Sequence, residues 1–292
     1  MDRPGAPPVW PAQRPATDPR RGRVVTRLCV LAESAALVSL LLAALLYVLR
    51  FHRPELQGRL TWGRWGLAIG SALLAVGLVS HGTRGNGPLG DFANVSFVFA
   101  LLLALALWWA DRRAARPALA ATLAPLTFLV ALAGLLGSSR TLPELHGSLW
   151  LNAHILLALT AYACFAVALA AAISYLVADQ LLKRKHLERL PHLPPLETSD
   201  RLGRRAVLIG WCLFTVGLLI GALTVYTWGA GFDPKIPPAL ATWTTYTVYL
   251  VLRHLHRWRG RRLQWLLVLG FALVGLTFAL GHSPEQLQRR FF

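Results

Sequence analysis

The sequence predicts an all-α protein, a polytopic transmembrane helix bundle of about eight spans, on three observations. Of its 292 residues 55% are hydrophobic and only 15% charged, against about a quarter charged in soluble domains, and mean hydropathy is +0.49. Apolar runs recur at lengths near the roughly 17 to 25 helical residues that cross a hydrocarbon core of about 30 Å. Their connections alternate between strongly and weakly basic, the pattern of positive-inside sorting.

The runs are 28–49, 65–80, 92–110, 118–138, 149–178, 206–228, 239–252 and 263–281. The first contains Glu33 and is too long, with no small-residue cleavage site before Tyr47 and Arg50, to be a removable signal. The second and seventh are the weakest, and Pro237 and Pro238 break the start of the seventh. None alternates with the two-residue period of a barrel strand, so each is expected to satisfy its own backbone hydrogen bonds as a helix. Cys29, Cys164 and Cys212 lie singly inside apolar runs, which argues for packing rather than disulfides or thiol exchange.

Nineteen of the thirty Lys and Arg residues cluster at 50–64, 112–116, 183–205 and 253–262, and this side is expected to be cytoplasmic. The organisation expected is a disordered, basic, Pro-rich tail over 1–24, one transmembrane domain over 25–285 with its motif core at 146–283, and a short tail over 286–292. Eight spans place the basic tail outside; a seven-span chain is the alternative. The net charge of +17 is explained by topology. No compact domain carries a basic face for nucleic acid, and no inverted repeat marks a secondary transporter.

The opposite, outer side gathers His81, His146, His154, Trp228, Asp233, Lys235 and His282. His52, His186, His192, His254 and His256 sit among cytoplasmic arginines and read as solvated or headgroup-facing. His154 lies about one turn inside the fifth run, and an ionisable residue there is a functional candidate because burial in hydrocarbon is costly unless the group is paired or ligating. Trp150, four residues earlier, shares its helical face. His154 and His282, from separate helices, suit the axial positions of haem iron; the same pair would serve copper or zinc, and a structural histidine bonded to a neighbouring helix is the plain alternative. Glu33, Asp91 and Asp111 read as interfacial charges. Trp62, Trp65, Trp108, Trp109, Trp258 and Trp265 read as aromatic-belt residues, and Arg201, Arg204 and Arg205 as topogenic.

Several elements in order resemble the CcsA type of cytochrome c assembly protein, the haem-handling membrane proteins of the System II synthesis pathway. Trp150-Leu151-Asn152-Ala153-His154-Ile155 with Ala161-Tyr162-Ala163 is similar to that family's WLxxHV and SYA segment. Asp200 to Arg205, Gly210 and the stretch from Thr215 through Gly217 to Gly221-Ala222 resemble the approach to its signature loop. Trp228-Gly229 and Asp233-Pro234-Lys235 resemble the ends of its Trp-rich loop, Trp258 to Arg262 with Gly270-Phe271 follow in order, and Gly87-Pro88-Leu89 with Asn94 resemble an upstream element.

The resemblance implies a multi-pass plasma-membrane protein that holds haem b on the outer face. It implies work with a CcsB-type (ResB-like) partner as a cytochrome c synthase, or haem lyase, which joins haem vinyl groups to the CxxCH thiols of apocytochrome c. His154 and His282 match the outer haem ligands, with Trp228, Phe232, Asp233, Lys235 and Trp150 as the platform around them. The chain also departs from the family. The loop is two residues shorter and lacks two tryptophans, Ile236 replaces an acid, and Val251 stands at the intramembrane histidine position. A HemX-like regulator or assembly factor on the same fold is the alternative function.

Overall fold

The computed structural model describes residues 19–52, 60–81, 89, 91–114, 117–137, 149–185, 193–228 and 235–280. Every apolar run is a helix, and no strand occurs among the described residues. The helices are α1 (Pro19–His52), α2 (Leu60–His81), α3 (Phe92–Ala114), α4 (Pro117–Leu136), α5 (Leu149–Lys183), α6 (Leu196–Trp228), α7 (Ile236–His254) and α8 (Arg261–Leu280). α1 begins at Pro19, inside the stretch assigned to the tail; the rest of that tail lies outside the described residues. α6 begins well before the apolar run that announces it, so Arg201, Arg204 and Arg205 are helical rather than in a loop. With 35 residues, α5 extends roughly 50 Å at about 1.5 Å per residue, well beyond a hydrocarbon core.

Of the eight helices among the described residues, seven are long and apolar enough to cross a membrane, and α7 is the exception. Its hydropathy is lowered by Thr242, Thr244, Thr245, Thr247, Tyr246 and Tyr249. The four threonines each donate their hydroxyl to the backbone carbonyl four residues earlier, at 2.8 to 2.9 Å. This satisfies the hydroxyls locally and suits the helix to an apolar setting despite its composition.

The helices form two rings of four. α1 packs on α2 and α4, and α3 on the same two; α5 packs on α6 and α8, and α7 on those two. α5 also packs on α3 and α4 and so joins the rings. A run of aromatic contacts crosses the joint, from Phe92 and Phe278 through Phe99, Tyr162, Phe214 and Phe165 to Tyr246. The last pair is stacked, with centroids 3.9 Å apart.

Two acids expected at the interface are buried instead. Glu33 is tucked against Gly77 of α2, whose missing side chain leaves room for it; a Cβ there would lie 3.4 Å from the Glu33 Cγ. The Asp91 carboxylate caps α3, accepting the Asn94 backbone N–H at 2.8 Å. Cys212, expected to pack, is exposed on α6, whereas Cys164 is half-buried. The six belt tryptophans are exposed as expected where their side chains are described: Trp62, Trp65, Trp108, Trp109, Trp258 and Trp265.

Candidate functional site

The α5–α6 hairpin builds the site. Gly203, Gly210, Gly217 and Gly221 recur at helical spacing on α6 and form one stripe facing α5. Opposite them lie Ala171, Cys164 with Phe165, Leu157 with Ala158, and His154. Small residues let helix backbones approach closely where lipid provides no hydrophobic drive to association.

At the end of this stripe the close approach exposes a backbone carbonyl to a side chain. Nδ1 of the half-buried His154 lies 2.7 Å from the Gly217 oxygen. A carbonyl only accepts, so Nδ1 carries the proton of this contact, and in a neutral ring the lone pair is on Nε2. Gly221, one turn further along α6, lies against the ring; a Cβ there would sit 2.7 Å from Cε1 and 2.9 Å from Nδ1. The two glycines thus act differently, Gly217 by its oxygen and Gly221 by its missing side chain.

Lys235, the exposed residue preceding α7, lies at the same end of the α5–α6–α7 packing as His154. Trp150 is 63% exposed on the first turn of α5. Trp228 is the last helical residue of α6. Phe232, Asp233 and His282 lie outside the described residues, as do His146 and Gly87-Pro88. The end of α8 is nonetheless placed. Gln264, early in α8, bonds Asp200 near the start of α6, whereas Phe278, near the end of α8, meets Phe99, which in turn meets Tyr162 of α5, so α8 runs antiparallel to α5 and Leu280 falls toward the His154 end. Val251 is exposed on the outside of α7.

Two further constellations were not singled out in the sequence. Trp211 of α6 donates its indole N–H to Thr247 of α7 at 2.8 Å, and Trp243 of α7 donates to Thr215 of α6 at 2.9 Å. Each threonine hydroxyl in turn donates to the carbonyl of the tryptophan on its own helix, and the indoles stack with centroids 6.0 Å apart. The clasp is reciprocal because both helices carry Trp-x-x-x-Thr, a repeat visible in the sequence. At the far end of the bundle, Arg253 of α7 pairs with Asp200 of α6, which also accepts from Gln264 of α8 at 3.3 Å.

A family model described as "Cytochrome C assembly protein" matches residues 33–284. The chain is similar to the cytochrome c biogenesis protein CcsA of Guillardia theta, 31% identical over 148 residues, 44% of this chain and 49% of that protein. It is also similar to CcsA of Prochlorococcus marinus strain MIT 9312, 41% identical over 81 residues, 27% of this chain and 26% of that one. The matched stretches thus span half or less of the length of these relatives. Among solved structures, "Cytochrome c Heme Lyase CcmF" superposes with a TM-score of 0.67 at 18% identity, over 96% of this chain and 49% of that one, a likeness of fold.

Proposed function

The chain belongs to the cytochrome c assembly protein family, and from that premise we propose that it is a haem-handling membrane subunit of cytochrome c biogenesis that presents haem b on the outer face of the plasma membrane. The observation that carries the reading is the His154–Gly217 hydrogen bond at 2.7 Å. Ligating histidines characteristically donate their second ring N–H to a carbonyl or carboxylate, which sets the tautomer and aims the ring. His154 has this arrangement, with Nε2 left as the donor atom.

In this reading His154 and His282 hold the iron from the ends of α5 and α8. Trp150, Trp228 and Phe232 supply aromatic faces, Lys235 meets a propionate, and Asp233 belongs to the same haem-binding set. Bound haem supplies the vinyl groups that receive the thiols of apocytochrome c. This chain's part is to hold and orient that group at the membrane surface, within a haem lyase completed by a CcsB-type partner. The shortened loop and Ile236 favour a second reading, a HemX-like regulator that binds a partner without attaching haem.

The test is the visible spectrum of the detergent-purified protein from haem-replete cells, beside His154→Ala and His282→Ala. A Soret band with six-coordinate low-spin features, weakened by both substitutions, is expected. A colourless parent that also fails to take up added haemin would sink the haem-presenting reading.

A further inference from the structure

The amphipathicity of α7 is inverted. Its outward stripe, Leu240, Val248 and Val251, is apolar and exposed. The opposite stripe, Thr242, Tyr246, Tyr249 and Arg253, recurs at helical spacing; the first three are fully buried and Arg253 has only 8% of its side chain exposed. A helix in lipid turns its polar face inward where that face meets protein partners or water.

Two groups on the inner stripe are satisfied. Thr242 donates to the Pro238 carbonyl at 2.8 Å, and Arg253 pairs with Asp200 and donates to the Trp258 carbonyl at 3.0 Å. The two between them are not: the hydroxyls of Tyr246 and Tyr249 are buried and meet no hydrogen-bond partner among the described residues. Tyr246 is fixed in place, stacked on Phe165 of α5 with centroids 3.9 Å apart and admitted by Gly270 of α8, where a Cβ would lie 2.7 Å from the phenol carbon Cζ. Phenylalanine would fill the same slot without an orphaned hydroxyl, which bears the full desolvation cost of a polar group. Buried hydroxyls that lack a protein partner are ordinarily met by ordered water.

Such water needs several polar partners, and α7 supplies them in series. Tyr246, Tyr249 and Arg253 follow one another at about one helical turn on a single face. At the end of the series Asp200 accepts from Arg253 and from the buried Gln264 of α8 at 3.3 Å, and a carboxylate has acceptor sites left after two bonds.

We propose that the interior of the α5–α8 ring binds ordered water that joins the Tyr246 and Tyr249 hydroxyls to the Asp200–Arg253–Gln264 cluster. The inner face of α7 is then hydrated toward the end of the ring opposite His154, and the site stands independently of haem.

The full chain in detergent would be exposed to short synchrotron X-ray pulses, which turn bound water into hydroxyl radicals that label the side chains beside it, and the modified residues read by mass spectrometry. Tyr246 and Tyr249 are expected to be labelled several-fold faster than Phe97, an aromatic buried to the same degree in the other ring. Tyr249→Phe should slow the labelling of Tyr246. Tyr246→Phe and Tyr249→Phe should each lower the melting temperature, because each strips a bound water of a partner. Labelling no faster than at Phe97 would overturn the proposal. So would phenylalanine variants that melt at or above the parent temperature, the result expected when the hydroxyl is simply unpaired.

Discussion

His154 is oriented by a backbone carbonyl and by an absent side chain, and the two effects separate by mutation. Gly217→Ala adds a methyl whose nearest neighbour is 3.6 Å away, an ordinary contact, whereas a methyl at Gly221 would meet the ring at 2.7 Å. Gly217→Ala should therefore retain the parental spectrum. Gly221→Ala should push the imidazole off its carbonyl and lower haem occupancy, read as the ratio of Soret to protein absorbance, with little change in yield. Equal spectra for both variants would show that Gly221 does not set the ring. The imidazole was legible in the sequence because an ionisable side chain stands out within an apolar run. Its cradle was not, since a glycine in such a run carries no sign of which helix its bare face meets. The same limit hid the burial of Glu33: its charge was evident, but the space left by Gly77 on another helix was not.

Helix pairs are held by a few directed contacts. The Trp211–Thr247 and Trp243–Thr215 bonds tie α6 to α7, the two arms that carry the loop from Trp228 to Lys235. Trp211→Phe and Trp243→Phe keep an aromatic face and remove one N–H donor each, so each should cost about 0.5 to 1.5 kcal/mol. Because the indoles stack, the double variant should depart from additivity in a thermal-unfolding cycle. Asp200→Asn is expected to do more. Arg253 has only 8% of its side chain exposed, and stripping a buried charge of its partner costs about 3 to 5 kcal/mol. The pair replaced together, Asp200→Leu with Arg253→Met, should recover much of that loss, as detergent melting temperatures would report. Arg253 counted in the sequence only as one more basic residue, and Asp200 only as part of a motif. Their pairing spans 53 positions and depends on how α6, α7 and α8 pack.

For the whole molecule, the unresolved quantity in the sequence was the number of crossings, and it rests on α7. Nineteen residues at about 1.5 Å each give roughly 28 Å, close to a hydrocarbon core, and α7 sits inside a ring between α6 and α8. Single cysteines at Lys235 and His256, in a chain whose native cysteines are replaced by alanine, would be labelled with a membrane-impermeant maleimide in intact cells. Labelling at Lys235 and protection at His256 is the outcome expected if α7 crosses. Equal behaviour at both sites would return the chain to seven crossings.

The sequence by itself determined the helical class, the approximate position of every span, the grouping of cations into alternate connections, and His154 as the ionisable group to watch. These follow from transfer free energies and hydrogen-bond satisfaction, which act along a local stretch of chain and leave their record in composition. The tertiary structure alone decided the closure of the helices into two rings, the seating of His154 on Gly217 and Gly221, the Trp–Thr clasp and the pairing of Asp200 with Arg253. Each of these depends on which faces meet across helices. In lipid that choice rests on small residues and a few hydrogen bonds rather than on hydrophobic contrast between faces, so the pattern of apolar residues does not reveal it.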